Sequence, residues 1–127
     1  MYLMDRWRRT VTKWDLVYVL GDAAFTDEGL QSIAELPGRK KLVRGNHDKH
    51  NAKLLLRVFE DIHGIVAYKR TWLSHAPIHP QELRGRKNIH GHVHFATIPD
   101  DRYINVSAEA IEYTPVHYKV LMGEPLG

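Results

Sequence analysis

The order of residues predicts a layered α/β fold, built on one mixed sheet or two packed sheets. Helix-patterned and strand-patterned segments alternate over the first half of the chain, and short strand-like runs dominate from Ile65 onward. Polar, mostly Gly-containing segments also follow four of the apolar runs, as expected where strand ends of an α/β domain border a ligand site. With 127 residues the chain reads as one domain over 1–127, long enough to bury a core.

Each element has a local reason. Residues 3 to 11 place Leu3, Met4, Trp7 and Val11 on one face and Asp5, Arg6, Arg8 and Arg9 elsewhere, which predicts an amphipathic helix. DLVYVL at 15–20 is a continuous apolar run stopped by Gly21, a buried strand. Asp27 can cap a helix that turns Leu30, Ile33 and Ala34 inward and ends before Pro37-Gly38. KKLV at 40–43 is a second strand, followed by the turn-like RGNHD. Over residues 51 to 62, Leu54, Leu55, Val58 and Ile62 form a stripe at helical spacing. IVAY, TWLS, KNIH, YINVS and PVHYKVLM then read as strands.

Composition removes several function classes. Hydrophobic residues at 43% and charged residues at 26% argue against a disordered chain. The absence of cysteine excludes disulfides, thiolate metal sites and cysteine nucleophiles. No apolar run reaches the roughly 18 residues of a membrane span. The start, MYLMDRWRRT, lacks the layout of a signal peptide. A cytoplasmic protein with no membrane partner is therefore expected.

Lysine and arginine exceed acidic residues by 18 to 15, and the pI is 9.2. The excess is scattered over Arg6/Arg8/Arg9, Arg39/Lys40/Lys41/Arg44 and Arg84/Arg86/Lys87. Such spacing suits a solvated surface, or the steering of an anionic, phosphate-bearing ligand. No stretch in which aromatic and basic residues interleave looks like a nucleic-acid stacking platform.

The unusual feature is nine histidines, three of them in NIHGHVH at 88–94. Gly21-Asp22, Gly45-Asn46-His47-Asp48, Ser74-His75 and Gly91-His92-Val93-His94 each sit just past an apolar strand-like run. Imidazole, carboxylate and amide oxygen together suit first-row divalent cations. Asp22 could bridge two of them, and Asn46 would add a neutral oxygen. In an extended segment His92 and His94 face the same side. His47 could protonate a leaving oxygen, with Asp48 orienting its ring. Taken singly, Gly-Asp is a turn, Gly-Asn-His-Asp a turn plus helix cap, and His75 a satisfied buried histidine. The four in this order point to metal binding. His90 would support the ligands, and His50, His63, His79 and His117 would have surface or packing roles, with His79 close enough to His75 to border the site.

Together these residues resemble the calcineurin-like metallophosphoesterase superfamily, whose pattern runs D-x-H, G-D, G-N-H-[DE], a lone H, then G-H-x-H. The chain shows G-D at 21–22, G-N-H-D at 45–48, His75 in LSHAP and G-H-V-H at 91–94, and its tail YINVSAEAIEYTPV looks like the end of small bacterial and phage members. The resemblance implies a four-layer α/β/β/α sandwich, a two-metal centre and hydrolysis of phosphomonoesters or phosphodiesters, nucleotides and nucleic acids being among the candidate substrates. It makes Asp22 the bridging ligand, assigns Asn46, His75 and His92 to the second metal and His94 to the first. His47 and Asp48 become the catalytic pair. Mn2+ is the expected cation, with Fe, Ni or Zn as alternatives.

One motif departs from the pattern. D-x-H would precede the first helix, and Asp5 lies within that helix and is not followed by x-H. The expectation is therefore a domain N-terminally truncated by its first strand, with its first metal site weak or empty and its second intact. The exposed edge would then invite a homodimer or another partner chain. The alternative expectation is thus a truncated, catalytically impaired member acting as a metal- or protein-binding module.

Overall fold

In a computed structural model of the chain, residues 2–20, 27–44, 52–91, 98–107 and 115–125 are described. They form a mixed α/β structure with two sheets and few helices. The first helix, α1 (Tyr2–Thr10), leads into β1 (Leu16–Val19), α2 (Asp27–Ala34), β2 (Arg39–Val43), α3 (Ala52–Leu55) and β3 (Asp61–His63). The remaining elements are β4 (Val66–Tyr68), β5 (Thr71–Ser74), a 3-10 turn at Pro80–Glu82, β6 (Lys87–His90), β7 (Tyr103–Asn105) and α4 (Tyr118–Leu121). Among the described residues no helix is long and apolar enough to cross a membrane.

The first sheet has the order β1-β2-β3 and is parallel throughout. The second has the order β4-β5-β6-β7, antiparallel between β4 and β5 and parallel beyond. Strand alternation gives each sheet two faces. On the helix side of the first sheet, Leu42 joins Leu55 and Phe59, all fully buried, with Val19, Ile33, Val58 and Ile62 around them. Trp7, Val11 and Leu36 close the same side over Val17 and Val19. Trp7 also donates its Nε1–H to Pro37 O at 2.8 Å, which pins α1 to the turn before β2. Gly38 makes that approach feasible: its φ is +98°, and a Cβ there would come within 2.9 Å of Val11 Cγ1.

The sheets face each other through a second core. Val43, Leu73 and Ile89 form its buried centre, with Tyr18 and Leu20 from the first sheet side and Val66, Tyr68, Ile104 and Val106 from the second. Tyr18 and Tyr68 stack edge to face at 5.6 Å, and Tyr68 meets Tyr118 of α4 at 5.0 Å. On its other face the second sheet carries segment 76–83, held by Trp72 Nε1–H on Leu83 O and by Tyr103 Oη–H on Ile78 O.

Two sequence expectations are corrected. The helix expected over 51–62 stops after one turn, and Asp61–His63 is a strand. Glu60 N–H donates to Lys40 O at 2.8 Å, and Ile62 pairs with Leu42, so the chain end of that stripe is captured by the sheet. PVHYKVLM is not a strand. His117 Nδ1 accepts from Lys119 N–H at 3.1 Å and caps α4. His79 caps the 3-10 turn in the same way through Gln81 N–H. These two histidines thus have local structural roles.

The basic residues of β2 are less uniform than their spacing suggests. Arg39 forms a forked pair with Glu60 at 2.7 and 3.0 Å, and Lys41 lies 3.7 Å from Asp61. Lys40 points into the helix side, donates to Gly38 O at 3.0 Å, and is held below its ordinary pKa by burial. These residues read as solvated ion pairs plus one buried ammonium.

In the loop before β7, Asp100 accepts from Arg102 Nη2 at 2.6 Å, from its Nε at 3.0 Å and from its backbone N–H at 2.9 Å. The guanidinium contacts, foremost, push the carboxyl down to about 2. A folded-state value below the unfolded one stabilises the fold above the ordinary aspartate value of about 3.9, and the contribution disappears as pH falls through the folded value. An NMR titration should place Asp100 near 2 in the parent and higher, toward the ordinary carboxylate range, in Arg102→Ala. An unmoved titration in that variant would contradict the assignment.

Candidate functional site

The site-bearing segments follow the carboxyl ends of β1, β2, β5 and β6. Parallel register places Val19 opposite Leu42 and Ser74 opposite His90, so within each sheet the two ends finish within one residue of each other. The two sheets then meet at that edge. His75 lies immediately after β5, is buried, and places Nδ1 2.8 Å from Leu20 O at the end of β1. A carbonyl only accepts, so Nδ1 carries the proton and donates. In the neutral ring Nε2 would then carry the lone pair, the form in which a histidine ligates a cation.

Gly91 completes the junction. Its N–H donates to His75 O at 2.8 Å. A Cβ at this position would stand 3.3 Å from Leu20 O and 3.5 Å from His75 O, so the missing side chain lets the β6 end close on both neighbours. The ends of β1, β5 and β6 therefore meet at one place, through the His75 ring on Leu20 O and Gly91 N–H on His75 O, although Leu20 and His75 are 55 residues apart in sequence.

Of the residues expected to act, His75 is the one the structure describes. Asp22, Asn46, His47, Asp48, His92 and His94 lie outside the described residues. Among the described residues no group of three or more His, Cys, Asp or Glu side chains is gathered as for a metal. Asp5 lies in α1 and is exposed. A histidine ring oriented through Nδ1, with Nε2 as its second nitrogen, fits a metal ligand.

His90 is 1% exposed and stacks edge to face on Tyr103 at 6.1 Å. Its Nδ1–H donates to Gly91 O at 3.0 Å, and burial lowers its pKa more than that bond raises it. Sequence patterning missed Asn88, which is fully buried in β6 and hydrogen-bonded on both sides of its amide. The available signal was an amide inside the strand-like run KNIH, two residues from His90 and so on the same face.

No protein-family model matches the chain. It is 33% identical over 132 residues to the uncharacterized protein MJ1445 of Methanocaldococcus jannaschii, spanning 94% of this chain and 71% of that protein. Among solved structures it is similar to a protein of unknown function, AQ665, from Aquifex aeolicus, with 28% identity and a TM-score of 0.73. That similarity covers 95% of this chain and 82% of the Aquifex chain. By its extent and identity the first of these matches establishes kinship, and the chain belongs to the same protein family as MJ1445.

Proposed function

We propose that the chain is a metal-dependent phosphoesterase of the calcineurin-like kind, hydrolysing phosphomonoester or phosphodiester bonds in a four-layer α/β/β/α sandwich. The observation that carries the reading is the meeting of the β1, β5 and β6 ends, with Leu20 O orienting His75 for ligation. Three of the four ordered motifs flank that meeting point in the chain.

A divalent cation, Mn2+ first and Fe, Ni or Zn as alternatives, would acidify its water and polarise a phosphoryl oxygen. His75 would hold it through Nε2, together with Asp22, Asn46 and His92. Asn46 would offer a neutral oxygen, limiting the negative charge that a phosphate ester meets. His47 would give a proton to the leaving oxygen, and Asp48 would hold its ring. Asp22 and His94 are the matched motif residues for a first metal, so the second site is the better furnished.

The test is hydrolysis of bis(p-nitrophenyl) phosphate with added Mn2+, in the parent, Asp22→Ala and His92→Ala. The parent should turn over and both variants should fall to the buffer background. Equal background rates in all three overturn the enzyme reading. A metal count near two per chain would instead overturn the weaker first site.

A second reading has its own observation. Among the described residues β1 has one sheet neighbour, β2, while Trp14 is 82% exposed and Leu16 is 38% exposed beside it. An open strand edge next to apolar side chains is a surface on which another strand can pair. Metal binding without turnover in the assay would favour such a binding module.

A further inference from the structure

Asn88 is fully buried in β6, yet it points away from the core between the sheets, since its neighbour Ile89 fills that core. Its amide spans the two sides of His75. Asn88 Nδ2–H donates to Trp72 O at 3.1 Å and to Ser74 Oγ at 2.9 Å, both before His75. Asn88 Oδ1 accepts from Ile78 N–H at 2.9 Å, after it. The partners fix the amide orientation, because a carbonyl needs a donor and an N–H needs an acceptor.

Ser74 extends the grip. Its Oγ–H donates to Ala76 O at 2.7 Å, and Tyr103 Oη–H donates to Ile78 O at 2.6 Å. The backbone at 72, 76 and 78 and the side chain of Ser74 are thus tied to one network, with His75 at the middle of the segment. Adjacent contacts, Gly91 N–H on His75 O and His75 Nδ1–H on Leu20 O, hold the same residue from the other side. A strand needs no such network to pair, because the β5–β6 ladder is already satisfied by backbone groups. Removing the amide would leave Ile78 N–H without this acceptor, so the network ties segment 76–78 to β6 beyond what strand pairing requires.

We infer that Asn88, acting with Ser74, is a positioning residue that fixes the direction of His75 Nε2 at the shared strand edge. The inference rests on the proposed metal-ligand role of His75. Outer partners of ligating histidines commonly change metal affinity about 10- to 100-fold when removed. The same range is expected here, since loss of the amide frees the peptide on both sides of the ring.

The experiment measures Mn2+ affinity by titration calorimetry on the full chain, with folding checked by circular dichroism at the same temperature. Asn88→Ala should weaken binding about 10- to 100-fold. Ser74→Ala, which removes one link and keeps the amide, should weaken it less, and Ser74→Thr should restore it. Phe59→Ala, in the core on the helix side, should lower the melting temperature while leaving the affinity unchanged. A merely structural Asn88 would behave like Phe59, and parent-like affinity in folded Asn88→Ala and Ser74→Ala would overturn the inference. If Asn88→Ala fails to fold, Ser74→Ala against Ser74→Thr decides. Undiminished affinity in His75→Ala would overturn the metal reading itself, and this inference with it.

Discussion

Replacing His75 by alanine is expected to lower Mn2+ affinity by at least about a hundredfold, because the loss of a ligand should exceed the 10- to 100-fold effect of losing a ligand's partner. His75→Asn is the informative companion. An asparagine side chain can still offer an N–H toward Leu20 O but lacks the imidazole nitrogen. If the ring's value lies in tying β5 to β1, His75→Asn should recover most of the stability lost in His75→Ala. If it lies in ligation, affinity should stay low in both. Calorimetric titration and urea unfolding on the same three proteins separate the two effects. Parent-like affinity in both variants would remove His75 from any cation site.

The largest stability effect is expected at Phe59. Its side chain is fully buried beside Leu42 and Leu55, which are also fully buried, at the point where α3 ends and the chain enters β3. Phe59 N–H donates to Leu55 O at 2.9 Å, and the next residue's N–H is already bonded to β2. Backbone on both sides is therefore held in place, and the surroundings have little freedom to collapse into a vacated ring site. Phe59→Ala should cost about 3–5 kcal/mol. For a chain of this length that corresponds to a fall of roughly 10–20 °C in Tm. Leu56, 54% exposed and three positions earlier, provides the contrast, with a change to alanine expected within about 0.5 kcal/mol. Equal losses at 56 and 59 in urea unfolding would mean that the core on the helix side is not closed around Phe59.

The elements that could be read directly from the chain are those whose pattern is complete within their own residues. The helix stripe of Trp7 and Val11, the apolar run at 15–20 and the strands KKLV, TWLS and KNIH all have this property. Elements set by distant partners could not be read this way. Ile62 fits the helical stripe of 51–62 and equally fits a strand, and its pairing with Leu42 decides the matter. α4 was hidden because its cap is His117, a residue outside the usual Ser, Thr, Asp and Asn set.

The candidate site shows the same division. His75 stood out as a lone histidine just past a strand, and the structure places it at the strand edge where β1 and β6 also end. Its orienting partner is the carbonyl of Leu20, a backbone group that no side-chain motif can encode. The positioning roles of Asn88 and Ser74 cannot be read from the sequence, because KNIH and TWLS read simply as strands. Their importance comes from the face they occupy, which becomes visible only when β5 and β6 are set in register.

The core between the sheets has a consequence during synthesis. Its first-sheet members, Tyr18, Leu20 and Val43, leave the ribosome well before Leu73, Ile89 and Ile104, which cover them. At translation speeds of about 5–20 residues per second, that apolar face waits on the order of seconds for its lid. During the wait the apolar side chains of Tyr18, Leu20 and Val43 have no second sheet to cover them. The nascent chain is most exposed to chaperone capture or self-association in this interval. The same delay means that no N-terminal fragment ending before β6 can assemble the contact among Leu20, His75 and Gly91.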